Sequence, residues 1–244
     1  MTWIWILLTL TLLAAAYLLT RPLRISRDPD REGIQDDDAS VAYDRVSRWP
    51  VFTFGRYLVL RPLAGFQPQG LLLDVGCGPG HLTAAISRKF RGLNTIGLDI
   101  SPKMASIARN NWPRPAYDNL DFIIGDIKAL PMPDDSADII VSSLSLHHWV
   151  EPEKAIAEMH RVLKPGGRLL IFDLRRDSPR SIYYVFAVGQ ALFTPEAIRR
   201  TNGAVGSFWA SYTAAELKAM LSATPFEKTA VRARPGWLLG EAMK

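Results

Sequence analysis

Apolar positions along this chain keep two rhythms in turn. Short runs with little polar interruption, at residues 71–75, 94–99, 119–125, 139–143 and 168–174, read as strands buried on both faces, the pattern of a parallel sheet. Between them apolar residues recur at helical spacing: Leu82, Ala85, Ile86 and Phe90; Met104, Ile107 and Ala108; Ile156, Met159 and Leu163. Helix starts are marked as well. Ser101-Pro102 supplies an N-cap followed by proline at the first helical position, and Thr213-Ala214-Ala215-Glu216 is a capping box. Residues 226–234 and 237–242 fit a terminal antiparallel pair. Strand and helix in alternation predict an α/β fold, a doubly wound, mostly parallel sheet of seven strands.

The first strand breaks at Gly76, Gly78 and Gly80, spaced two apart, and a helix follows. Glycine belongs in such a turn because a backbone without Cβ bends sharply and lets a ligand approach the main chain. A dinucleotide fingerprint wants a third glycine where His81 stands. Asp74 at the strand end suits a cationic ligand group better than a pyrophosphate.

In Leu73-Asp74-Val75-Gly76-Cys77-Gly78-Pro79-Gly80 the chain resembles the first motif of class I S-adenosylmethionine-dependent methyltransferases. Three further stretches carry the likeness. The second strand ends at Asp99, 19 positions after Gly80, and Ile100 follows; an ionised carboxylate there can accept from both ribose hydroxyls, and Ile100 is a candidate for packing on the adenine, with ordinary core as the other reading. The third strand ends at Asp126, which the resemblance places on the adenine amino group, with the Ile127 amide on the ring. The fourth ends in Ser142-Ser143-Leu144-Ser145-Leu146-His147-His148-Trp149, similar to methyltransferases of the ubiquinone and menaquinone type, and Leu163-Lys164-Pro165-Gly166-Gly167 matches the signature after the core. The resemblance covers roughly residues 40–244. It implies S-adenosyl-L-methionine as cofactor, held by Asp74, Gly76, Cys77, Gly78, Gly80, Asp99, Ile100, Asp126, Ile127 and Ser143, and methyl transfer by in-line displacement.

For the acceptor the resemblance offers candidates only. Tyr43, beside Asp44, is expected near the methionine end or as a packing residue; His147 and His148 are candidate bases or else orient the loop beside Trp149; and Asp173 closes the fifth strand where a substrate group could sit. Residues 178–210, rich in Tyr184, Trp209 and other aromatics, are expected as the substrate cover. No Asn/Asp-Pro-Pro-aromatic motif follows the fourth strand and Cys77 is the single cysteine, so methylation of nucleic-acid bases is not expected, nor a disulfide framework or a metal site.

The net charge of +5 suits nucleic acid or an anionic surface, so its location decides. Residues 1–20 contain no charged side chain and Arg21, Arg24, Arg27 and Arg31 follow them. Such a run reads as a retained transmembrane anchor rather than a signal peptide, whose positive charge comes first. Positive residues stay inside, so the N-terminus is expected outside and the catalytic domain (residues 41–244) in the cytoplasm, with residues 21–40 as a basic tether. Arg45, Arg48, Arg56 and Arg61 read either as a lipid-facing set or as a solvated helix face. An anchored chain points to a lipophilic acceptor. The rival functions are a nicotinamide-dependent oxidoreductase, which uses a similar turn, and a non-catalytic cofactor-binding membrane protein.

Overall fold

The computed structural model describes residues 2–23, 25–29 and 37–244. Three helices lead: α1 (Thr2–Thr20), α2 (Asp37–Val46) and α3 (Pro50–Gly65). The alternating core follows as β1 (Gly70–Val75), α4 (His81–Lys89), β2 (Leu93–Asp99), α5 (Pro102–Asn111), β3 (Leu120–Ile124), β4 (Ala137–Ser143), α6 (Pro152–Val162) and β5 (Leu163–Leu174). Then come α7 (Arg180–Phe193), α8 (Glu196–Arg199), α9 (Gly203–Ala210), α10 (Ala214–Ala223), β6 (Lys228–Arg234) and β7 (Trp237–Met243).

The strands form one seven-stranded sheet in the order β3-β2-β1-β4-β5-β7-β6, parallel except for β7. Period-two alternation sends neighbouring residues of each strand to opposite faces. Leu73, Ile140 and Leu169 pack with Ile156 and Met159 of α6 and Leu217 of α10. Leu72, Ile139 and Leu170 pack on the other face with Leu63 of α3 and Leu82 and Ile86 of α4. Truncating such a fully buried leucine to alanine costs about 2–5 kcal/mol. Strand order reverses between β1 and β4, and the crevice above that point is where doubly wound sheets take ligands. Register carries the tips there, since Asp74 lies opposite Gly97 and Val141, and Asp99 opposite Ile124.

Both capping signals are realised. The Ser101 hydroxyl accepts from the Met104 amide at 3.2 Å, and Thr213 and Glu216 exchange bonds at 3.2 and 2.8 Å. Residues 178–210 form helices α7 to α9.

The membrane-spanning anchor and the placement derived from it do not stand. Among the described residues no helix is long and apolar enough to cross a membrane. Helix α1 touches α7, and its described large apolar side chains, Trp5, Leu10, Leu12 and Leu13 among them, are exposed. The residues after it are also stitched to the domain. Leu23 N–H donates to the Ser178 carbonyl at 2.9 Å, Arg180 N–H to that of Arg21 at 3.0 Å, and Asp28 N–H to that of Trp209 at 3.1 Å. What was expected as a tether is, at 21–23 and 25–28, a strap against the segment of α7 and α9. Arg24, Arg31 and the rest of 30–36 lie outside the described residues.

Candidate functional site

One cavity of about 450 Å³ opens over the carboxyl ends of β1, β2 and β4. Its floor is the turn after β1, where Gly76, Gly78 and Gly80 take φ values of +71°, +52° and +79°. The amides of Gly76 and Cys77 donate to the Leu98 carbonyl at 2.8 and 3.0 Å, fixing the turn to β2. A Cβ on Gly76 would lie 2.0 Å from the Ser145 hydroxyl, so the turn and the loop after β4 interlock only around a bare backbone. At Gly78 the nearest atom to such a Cβ is on the Tyr43 ring at 3.8 Å, which leaves the backbone open to the cavity.

Three carboxylates stand around this floor. Asp99 grips it directly, accepting from the Gly78 amide at 2.8 Å and from the Ser101 amide at 2.9 Å. Asp74 accepts from the Thr83 hydroxyl at 2.7 Å. Burial pushes its pKa up to about 7; the Thr83 bond opposes the shift and the Asp99 charge adds to it. Burial raises Asp99 as well, against its two backbone donors. Asp126, less buried, accepts from the Lys128 amide at 2.9 Å. Cys77, Ile127 and Ser143 also line the wall, and Ile100 leaves 66% of its surface open beside it. Burial drives the Cys77 thiol well above its ordinary range, so it lines the site as an inert, protonated group. Every cofactor residue expected from sequence, Gly80 aside, is on this wall; Gly80 sits just behind it, where a Cβ would strike the Phe122 ring at 2.6 Å. An acidic rim, an open glycine backbone and an exposed apolar side chain fit a cationic nucleoside amino acid.

The opposite wall comes from other elements. Tyr43 and Ser47 of α2, Phe52 and Arg56 of α3, and Leu144, Ser145, His148 and Trp149 after β4 face the same space. Tyr43 and Phe52 meet edge to face at 6.0 Å. Helix α2 is held over the cavity by Asp44, which bonds His81 at 2.9 Å, Asn111 at 2.8 Å and Arg48 at 3.1 Å. Burial lowers the His81 pKa, against the pull of Asp44.

The two candidate histidines part company. His147, 4% exposed, is clamped to Asp173, 1% exposed, through Nδ1 at 2.6 Å and its own amide at 3.0 Å. That pair is behind the wall and fixes the loop to β5. His148, its ring 4.2 Å from that of His147, is the one on the cavity. Tyr184 and Trp209 do not join the site. Tyr184 is exposed on α7, Trp209 packs edge to face on Tyr183 at 5.9 Å, and among the described residues the wall takes none from 178–210. Among the described residues there is also no cluster of His, Cys, Asp and Glu arranged to hold a metal ion.

Sequence reading placed Arg27 only among the basic residues after the apolar run and missed its bracing role. Its guanidinium donates to the carbonyls of Ala210 at 2.7 Å, His147 at 3.1 Å and Trp149 at 3.3 Å, and lies 4.0 Å above the Tyr212 ring. The Tyr212 hydroxyl in turn donates to the Trp149 carbonyl at 3.2 Å. The strap therefore braces the loop carrying His148, and no local pattern links position 27 to 147–149.

The sheet order, the glycine turn and the acidic strand tips agree with the resemblance to class I S-adenosylmethionine-dependent methyltransferases. Residues 73–171 match the family described as a methyltransferase domain. The chain is 34% identical over 153 residues to the demethylmenaquinone methyltransferase of Renibacterium salmoninarum, covering 61% of each chain. It is 33% identical over 141 residues to the malonyl-[acyl-carrier protein] O-methyltransferase of Methylococcus capsulatus, covering 56% of this chain and 49% of that one. The chain thus spans about half to three-fifths of the length of these curated relatives. In fold it is similar to phosphoethanolamine N-methyltransferase 2 of Haemonchus contortus, solved with S-adenosyl-L-methionine. The TM-score there is 0.65 at 16% identity, over 91% of this chain and 60% of that one.

Proposed function

We propose that this chain methylates a small, lipophilic acceptor at the expense of S-adenosylmethionine. The observation that carries the reading is the meeting of Asp74, Asp99 and Asp126 with the open backbone of Gly78 in one cavity. When bound, the cofactor supplies an electrophilic methyl group already attached to a good leaving group. The chain's own share is mainly proximity and alignment, effects worth up to about 7–11 kcal/mol. Asp99 takes the ribose hydroxyls, Asp126 and the Ile127 amide hold the adenine edge, and Ile100 covers the ring. Asp74 places negative charge toward the amino-acid end. Tyr43, Phe52 and Trp149 exclude water from the transfer site, and His148 takes a proton from an acceptor that arrives protonated. His147 and Asp173 keep that loop in place.

The apolar rings on the acceptor wall support a lipophilic substrate, as does the likeness to an enzyme named for demethylmenaquinone. The test has two stages. S-adenosylhomocysteine should raise the melting temperature while NADH leaves it unchanged. Incubation of the full chain with labelled S-adenosylmethionine and a lipid extract should then yield a labelled apolar product by mass analysis. Stabilisation by NADH alone refutes methyl transfer, and label confined to water-soluble products refutes the acceptor class.

A further inference from the structure

The acidic rim answers the cationic and hydrogen-bond-donating groups of the cofactor and leaves its α-carboxylate without a partner. We propose that Arg56 is the carboxylate clamp of this cavity, binding the amino-acid end of S-adenosylmethionine through its guanidinium. The proposal rests on the methyl-transfer reading and supplies the residue that reading lacks.

Three observations converge on Arg56. It lines the same cavity as the turn from Gly76 to Pro79. Among the described residues its hydrogen-bond partners are neutral, the Ser47 carbonyl and the Thr53 hydroxyl, both at 2.8 Å. A guanidinium carries five N–H donors, so this arrangement leaves capacity for an anion. Helix α3 carries no acidic residue, and no described carboxylate pairs with Arg56. A part-buried cation without a counter-charge is costly, which a bound carboxylate would relieve. Burial pulls the Arg56 pKa down, the direction expected of a charge kept from water; the nearby Tyr43 hydroxyl opposes the shift and Arg88 adds to it.

Position points the same way. The Arg56 charge acts on His81, the first residue of α4, so it is close to that helix's N-terminus, whose free amides also favour an anion. The neighbouring cations are engaged: His81 and Arg48 on Asp44, and Lys128 with Glu151 at 3.2 Å. Arg56 is thus the cation on the wall with charge to offer. Its fork-shaped donors match a carboxylate in two places at once.

The experiment compares S-adenosylhomocysteine with S-adenosyl-3-thiopropylamine, the same molecule without its carboxylate, by calorimetry on the full chain. The unaltered protein should prefer the carboxylated ligand by roughly tenfold to a hundredfold, the range of charge-assisted hydrogen bonds. Arg56→Met should bring the two ligands to equal affinity by weakening the first alone. Arg56→Lys should keep part of the preference, because a point charge replaces the fork. Equal affinity of the unaltered chain for both ligands overturns the proposal without any substitution. So does an Arg56→Met chain that binds S-adenosylhomocysteine as the unaltered one does yet loses turnover on anionic acceptors, since the clamp would then serve the acceptor. No heat with either ligand in the unaltered chain overturns the methyl-transfer reading itself.

Discussion

The two ends of the cavity are built by different means. At the cofactor end each group is delivered by the strand that carries it. Asp74 lies in β1, Asp99 ends β2 and Asp126 follows β3, and short bonds from the amides of the glycine turn reach the Leu98 carbonyl and the Asp99 carboxylate. At the acceptor end the wall is assembled from α2, α3 and the loop after β4. Bonds between distant residues hold it: Asp44 to His81, His147 to Asp173, and Arg27 to three carbonyls. The first end is rigid because parallel strands make it so. The second is as firm as its braces, and these lie outside the cavity. Binding of cofactor and handling of acceptor should therefore fail separately.

The sharpest break falls on the turn. Gly76→Ala would set a methyl group against the Ser145 hydroxyl at a φ that alanine resists, so affinity for S-adenosylhomocysteine should fall by roughly hundredfold or more. Because Ser145 belongs to the acceptor wall, this one substitution should disturb both ends. Near-normal calorimetric binding by that variant would show the turn to be far more compliant than its contacts imply.

The next effect is of pH on the cofactor end alone. With a pKa near 7, Asp74 holds its proton through the mildly acid range in the folded chain and has lost it in the unfolded one. The unfolded state then binds fewer protons, so this group's contribution to stability is full below the ordinary carboxylate range and declines as pH rises toward 7. A ligand bearing an ammonium group prefers the ionised carboxylate. Affinity for S-adenosylhomocysteine should accordingly climb as pH passes through about 7, and Asp74→Asn should flatten that rise.

The smallest effect is confined to the acceptor end. Arg27→Met removes three hydrogen bonds and a ring contact without touching the cavity. Hydrogen exchange should quicken in residues 144–150, while cofactor affinity changes by no more than about twofold. Unchanged exchange there would show that the strap rides on the loop without steadying it.

Local chemistry was legible in the sequence and remote pairing was not. The strands, the glycine turn, the carboxylates at the strand tips and the capping box at Thr213 all follow from residues within a few positions of each other. Tyr43 lines the cavity. The aromatic stretch 178–210 left two readings open because ring-rich helices serve a substrate cover and an outer layer equally well. Tyr184 and Trp209 belong to the outer layer. His147 and His148 could not be told apart because a single 3-10 turn, Leu146–His148, sends one inward and the other to the wall. Arg56 read as one of a set of surface cations, and only the fold shows it turned to the cavity. The apolar run at the start of the chain set an expectation of a membrane span. The described residues hold no helix long and apolar enough for one.

The strap also bears on how far this domain can be moved about. Its beginning is sewn into its far side, so a shortened chain starting at α2 would keep every cofactor-binding group and forfeit the guanidinium under the His148 loop. Such a truncation should yield a competent receptor for the nucleoside and a slack, inefficient catalyst. In this molecule the portable unit begins upstream of the acidic rim and the glycine turn, at the residues that brace the loop after β4.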